Sequence, residues 1–198
     1  MTVATAMDAM THAIEAMMSI MSNRICDAQA LQAIRLINEN LPLVVADGKN
    51  EKARLNLQIA ATLAGWAFTM AQVGLAHAMA HTLGTLFHLP HGQACGIVLP
   101  KVMRYNVDHA TDALVLVAKA LDVETAGMEN RDVALAAAGA VEALMGRAGH
   151  PLKLREVGIT EDSLDMAAFH AICDTAALFN ARPVNDPGEV AALYKEAY

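Results

Sequence analysis

The stretch Gly74-Leu75-Ala76-His77-Ala78-Met79-Ala80-His81-Thr82-Leu83-Gly84-Thr85-Leu86-Phe87-His88-Leu89-Pro90-His91-Gly92 decides how the chain is read. Its Ala, Leu and Met content favours a helix, and Gly74 marks a break or a close helix approach in front of it. Pro90 and Gly92 bracket His91 in a tight turn behind it. His77 and His81 are four residues apart, which on a helix places both imidazoles on one face.

The same helical period continues on both sides. Upstream, residues 2–22 form an Ala/Met-rich helix carrying Asp8 and His12, again four apart. Asp27 is a candidate N-cap for a second helix through Leu31, Ile34, Leu36 and Ile37 towards Val45, ended by Asp47-Gly48. A third runs from Asn50-Glu51 past Leu55, Ile59, Leu63 and Trp66 to about Gln72. Downstream, Gln93 to Met103 is helical with Pro100 as a kink or boundary. Asp108 caps a helix through Leu116 and Leu121, and Asn130 opens an Ala-rich run to Gly149. His150-Pro151 begins a connector. Thr160 and Ser163 start a helix ending near Phe179, Asn180-Ala181-Arg182-Pro183 is a turn, and Pro187 to Tyr198 is a last helix. No strand pattern and no internal repeat emerge. The expectation is an all-α fold, residues 1–198 forming one compact metal-binding domain of roughly nine to eleven helices.

Composition narrows the function. The chain has 198 residues, 55% hydrophobic but only 4% aromatic, so its apolar mass is Ala, Leu, Met and Val. A formal net charge of −7 without a Lys/Arg cluster argues against nucleic acid and anionic membranes as partners. No apolar run reaches the roughly 20 residues of a membrane span, and no signal peptide is evident, so a cytoplasmic location is expected. Cys26, Cys95 and Cys173 are sparse and odd in number, which fits reduced thiols, each taken as a small buried apolar residue.

Asp8, His12, His77, His81 and His91 together offer one carboxylate and several imidazoles to a divalent metal. The pair His77/His81 lacks the Glu after the first His that a zincin uses as its base. Imidazole and carboxylate donors suit Fe²⁺, Zn²⁺, Co²⁺, Mn²⁺ or Ni²⁺ and disfavour an iron–sulfur cluster. With a coordination position left open, such an ion acts as a Lewis acid, and a spare His can shuttle a proton. His88, His109, His150 and His170, taken one by one, fit ordinary core or surface roles.

At these residues the chain resembles the iron-containing (group III) alcohol dehydrogenases. The run 74–92 closely matches that family's His-rich signature, as does its continuation Ile97-Val98-Leu99-Pro100-Lys101-Val102-Met103-Arg104-Tyr105-Asn106. Met7-Asp8-Ala9-Met10-Thr11-His12-Ala13-Ile14-Glu15-Ala16 is similar to the other ligand segment, and Asn180-Ala181-Arg182-Pro183-Val184 to the usual C-terminus. The resemblance implies the family's C-terminal metal-binding helical domain, with Asp8, His12, His77 and His91 as ligands of Fe²⁺ or, alternatively, Zn²⁺. It makes His81 a non-ligand beside metal and nicotinamide, a candidate catalytic proton relay, and places Phe68 along the substrate pocket.

Family members carry an α/β domain ahead of this region whose Gly-rich turn holds NAD(P). Neither GxGxxG nor a Gly-Gly-Gly-Ser run occurs in this chain, so no cofactor-binding residue is assigned. The expectation is the metal-binding half of a dehydrogenase, beginning internally relative to its relatives. Alkoxide or carbonyl chemistry at the metal would be coupled to NAD(P) hydride transfer only when the missing domain is supplied. The expected partners are a small alcohol or aldehyde, and either a nucleotide-binding chain or further copies of itself. The alternatives are a freestanding metal protein with hydratase, lyase or hydrolase-type chemistry, and a non-catalytic, self-associating helical domain.

Overall fold

The computed structural model describes residues 1–198 and contains helices and no strand. The α-helices are α1 (Thr2–Met18), α2 (Arg24–Ala46), α3 (Glu51–Ala71), α4 (Leu75–Phe87), α5 (His91–Asn106), α6 (Thr111–Ala120), α7 (Asn130–Arg147), α8 (Leu164–Ala171) and α9 (Pro187–Ala197). Short 3-10 turns lie at Leu154–Val157, Glu161–Ser163 and Thr175–Phe179. No single helix is long and apolar enough to cross a membrane.

Helix α1 is the hub. Eleven of its 17 residues are buried, and α2, α3, α4, α5 and α6 all pack on it. A helix apolar on nearly every side belongs inside. The Ala and Met residues of α1 satisfy that while keeping neighbouring backbones close. Helix α3 behaves differently: it buries a narrow seam of Ala53, Ala60, Ala64, Ala67 and Ala71. Its other side leaves Leu55, Ile59, Trp66 and Met70 exposed.

Between α3 and α4 the chain bends by 107°. Gln72 absorbs part of this bend at φ +66°. Helix α5 then returns against α1 and α4, with eleven of its 16 residues buried. Lys101 and Arg104 of α5 reach Glu142 of α7 at 2.5 and 2.6 Å. A second clasp is polar and buried: Asn106 and Asn180 exchange side-chain amide hydrogen bonds of 2.9 and 2.8 Å. Asn180 also accepts from the Leu75 N–H at 3.4 Å, and Asn106 accepts from the Arg182 N–H at 3.0 Å. The 180–183 turn is thus stapled to the end of α5 and the start of α4.

Several boundaries differ from the sequence reading. Helix α1 stops at Met18 rather than 22, because Ser19 turns extended and its hydroxyl donates to the Ala71 carbonyl. Asn23, not Asp27, caps α2, its Oδ1 accepting from the N–H groups of Ile25 and Cys26. Asp27 sits in the first turn, where its charge suits the helix dipole, and accepts from Ser22 at 2.7 Å. Asp108 caps nothing; it pairs with Arg131 at 2.7 Å, and α6 starts at Thr111. The expected helix from Thr160 to Phe179 is broken, since Asp174 accepts from the Ala176 N–H and starts a new turn. Pro100 lies inside α5 without ending it, and α5 begins at His91 itself. Cys26 and Cys95 are buried as expected, but Cys173 is exposed.

The Asn pair supplies a stability test. Asn180→Ala leaves the buried Asn106 side-chain NH₂ unpaired, while its Oδ1 keeps the Arg182 N–H, which costs about 1–3 kcal/mol. Urea unfolding followed by circular dichroism should show a lower midpoint, with the helical signal before the transition unchanged.

Candidate metal centre

The site is built from three helices, two of which, α1 and α4, are held together by one buried carboxylate. Glu15 on α1 is 1% exposed. It accepts from the backbone N–H groups of Gly74, Ala76 and His77 at 2.9, 2.5 and 3.3 Å. The first N–H groups of a helix have no partner within it, and a negative charge there also matches the helix dipole. Glu15 therefore does for α4 what its own residues do not, because Gly74 provides no side-chain cap. The fit is close: a Cβ on Gly74 would stand 3.1 Å from Glu15 Oε1.

The same carboxylate fixes His77. Its Nδ1 lies 2.6 Å from Glu15 Oε2, and a carboxylate only accepts, so Nδ1 carries the hydrogen. Nε2 then points towards Asp8, 3.7 Å from Oδ1. His91 enters from the first turn of α5, its Nε2 3.3 Å from the same Oδ1. That approach requires Gly92, where a Cβ would fall 2.1 Å from the Ala4 carbonyl oxygen and 3.3 Å from Asp8 Cβ. No L-side chain fits between α1 and α5 at this level.

Asp8, His77, His91 and Cys95 present donor atoms that all lie within 4.8 Å of one another. His12 stands beside this set, Nδ1 3.7 Å from Asp8 Oδ1, its ring against His77 at 4.3 Å between centroids. Phe68, half-buried on α3, stacks on the other side of His12 at 4.3 Å and 22°. His81, one turn along α4 from His77, is 45% exposed. It stacks on His91 at 5.3 Å, while its Nδ1 lies 2.7 Å from Asp174. Asp174 accepts from Nδ1, which leaves Nε2 of His81 as the nitrogen free to take up a proton.

The electrostatics are those of a site in need of a cation. Burial raises the Asp8 carboxyl, but the nitrogens of His77 and His91 more than reverse this and hold it far below the usual carboxylate range. Burial lowers His77, yet Asp8 and Glu15 push it up to about 9. Burial, then repulsion from His77, brings His12 down to about 4. Burial and the two carboxylates keep the Cys95 thiol well above its ordinary value. Asp8 Oδ1 and His77 Nε2 are buried and make no hydrogen bond. Two orphaned polar atoms facing each other are costly unless something binds both. A divalent ion fits that requirement, and the oxygen and nitrogen donors suit it chemically.

Of the residues picked out in the sequence, Asp8, His12, His77, His81 and His91 gather here, with Phe68 at the edge. His88 does not: it is the left-handed C-cap of α4, exposed at φ +55°. His150 is a packing residue, its ring seated over Gly96, where a Cβ would lie 2.6 Å from Cε1. His109 and His170 are exposed and away from the cluster. The residues not foreseen are Glu15, Cys95 and Asp174. Glu15 carried a signal, lying seven residues after Asp8 on one helix face. Cys95 is four residues after His91, a relation hidden as long as His91 is read as part of a turn.

A family model described as the Fe-containing alcohol dehydrogenase family, C-terminal, matches residues 2–198. The chain is 41% identical over 198 residues to 1,3-propanediol dehydrogenase of Citrobacter freundii, covering 100% of this chain and 51% of that protein. It is 39% identical over 199 residues to alcohol dehydrogenase 4 of Saccharomyces cerevisiae, covering 100% and 50%. The crystal structure of a 1,3-propanediol oxidoreductase superposes with a TM-score of 0.96 at 40% identity, over 99% of this chain and 51% of that one. An alcohol dehydrogenase from Oenococcus oeni superposes equally well, TM-score 0.96 at 35% identity, over 100% and 51%. The chain spans about half the length of these relatives. With the family model matching residues 2–198 and the helical fold superposing over the whole chain, the chain belongs to the iron-containing alcohol dehydrogenase family and corresponds to its C-terminal part.

Proposed function

We propose that this chain is the metal-holding half of a nicotinamide-dependent alcohol dehydrogenase, acting on a small alcohol or the matching aldehyde. The observation that carries the proposal is the pair of buried, unpartnered atoms Asp8 Oδ1 and His77 Nε2, aimed at each other across 3.7 Å. Asp8, His12, His77 and His91 would hold a divalent ion, Fe²⁺ by family, with Zn²⁺ the alternative that the general affinity order favours. When bound, that ion polarises the substrate oxygen and lowers the pKa of an alcohol.

The chain's own residues do the rest. Glu15 keeps His77 in the tautomer that offers Nε2 and raises its basicity as a ligand. Asp174 keeps the proton of His81 on Nδ1, so Nε2 can accept one from substrate and pass it to solvent. Phe68 presents an apolar face over His12 on the side from which a substrate's carbon chain would approach. NAD(P) enters with a nucleotide-binding unit, and hydride transfer is expected only when that unit is present. The exposed row Leu55, Ile59, Trp66 and Met70 supports a covering partner, either that unit or a second copy of the chain. A cytoplasmic setting belongs to the same proposal. The relatives give no support to a redox-free metal reaction or to a purely structural domain.

Three outcomes are expected. Without metal, His77 is protonated up to about pH 9. Metal binding must release that proton, so Zn²⁺ affinity should rise about tenfold per pH unit from 7 to 9 and level off above. Calorimetry in buffers of different ionisation enthalpy should count one proton released at pH 7. Second, Glu15→Gln should weaken metal binding by about 10–100-fold, the usual loss for a ligand's supporting partner, as measured by competition with a chelating dye. Third, titration of the metal-loaded chain with NAD⁺, NADH and NADP⁺ should show no saturable binding. Micromolar to low millimolar binding would place the nicotinamide on this half alone.

A further inference from the structure

We infer that His150 is a positioning residue of the metal centre: by seating its ring against the first turn of α5, it sets where His91 presents Nε2. The inference rests on the metal-site reading above and leaves its ligands, Asp8, His12, His77 and His91, as they stand.

His91 needs such support. It is the first residue of α5, and Pro90 in front of it supplies no side-chain cap. The His91 ring is 41% exposed, so packing around the side chain does not hold it in place. The first N–H groups of a helix have no partner within it, and helix ends fray unless something outside holds them. One hold comes from α1, whose Ala4 carbonyl stands against Gly92. The other is His150.

The end of α7 delivers that residue. Gly149 turns the chain left-handed at φ +69°. Its N–H returns to the Gly146 carbonyl at 3.2 Å, and the His150 N–H returns to the Met145 carbonyl at 3.0 Å. This is the Schellman way of closing a helix, in which the residue after the glycine is often apolar and packs inward. Here that residue is an imidazole, 5% exposed. Gly96, one turn along α5 from Gly92, leaves the notch that the flat ring fills. A Cβ there would lie 2.6 Å from Cε1 and 2.7 Å from Nε2.

The ring is held at both nitrogens. Nδ1 lies 2.7 Å from the Pro151 carbonyl oxygen and Nε2 3.3 Å from that of Gly92. Carbonyls only accept, so the neutral ring donates to one of them and the doubly protonated ring to both. In either state the ring occupies the Gly96 notch. Contacts at two points one turn apart, Ala4 on Gly92 and His150 on Gly96, fix the roll of this turn as a single contact would not. His91 Nε2 is thereby kept 3.3 Å from Asp8 Oδ1. Helix α7 is itself tied to α5 where Glu142 pairs with Lys101 and Arg104, so the clamp stays in register with what it holds.

Cobalt(II) and zinc binding to the full chain test this. The wild type is expected to bind cobalt with visible d–d bands. His150→Ala should weaken zinc binding by about 10–100-fold, the loss typical of an outer partner, in competition with a chelating dye. It should also shift the d–d bands, because a displaced His91 changes the geometry around the ion. Gly96→Ala, which pushes the ring out of its notch, should act in the same direction. Asn40→Ala is the control. Asn40 is buried and bonds to Leu36 and Asn56, none of them residues of the site, so thermal stability should fall while zinc affinity and bands stay. Circular dichroism of the metal-free variants checks folding. A folded His150→Ala chain with wild-type affinity and bands overturns the inference. An equal loss of affinity in Asn40→Ala overturns it also, by tracing the effect to stability alone. If His150→Ala does not fold, NMR of the wild type with isotope-labelled histidine decides. Zinc should then move the His150 ring signals together with those of His91, and unmoved His150 signals overturn the inference. No cobalt or zinc binding by the wild type removes the metal reading itself and this inference with it.

Discussion

Everything at the centre of this protein hangs on the carboxylate of Glu15. A buried negative charge is unfavourable unless it is saturated with donors. Here three backbone N–H groups and one imidazole N–H saturate it. All four come from the start of α4, so α4 can sit in only one place and one rotation relative to α1. That rotation aims His77 Nε2 at Asp8, seven residues earlier on the helix that carries Glu15. A structural cap and the orientation of the His77 ring are one interaction. The site inherits the rigidity of the core rather than resting on a loop.

Close packing supplies the other half of the constraint. Gly92 lets the start of α5 touch the Ala4 carbonyl, and Gly96 accepts the flat ring of His150. The Ala seam of α3 does the same on the far side of α1. A chain with 4% aromatics fills its interior with backbones brought near each other rather than with large side chains. Helices set this close bring donors from residues 8, 77 and 91 to within a few ångströms.

Helical class and the main elements were legible in the sequence because periodicity, Gly and Pro mark them directly. The pairs Asp8/His12 and His77/His81 were legible for the same reason, since spacing of four is a local property. Spacing alone did not say that His77 turns to Asp8 while His81 turns to Asp174; the family resemblance set His81 apart. Asp174 was hidden, because the contact spans 93 residues and Asp174 lay within what looked like one continuous helix. Cys95 was hidden by a boundary error of two residues, which put His91 in a turn and broke its i, i+4 relation. The polar exchange between Asn106 and Asn180 left no local trace: each looks like an ordinary Asn near a helix end or turn.

The Asn180 clasp also governs the order in which the molecule can be finished. Chains emerge from the ribosome N-terminus first. Glu15 can meet α4 once residue 77 is out, and His91 can join soon afterwards. The Leu75 N–H still waits for Asn180, and His81 waits for Asp174, both in the last eighth of the chain. Until then the start of α4 and the His81 ring lack these two partners. Glu15 can therefore set the His77 ring in a chain that has not yet made Asp174 or Asn180.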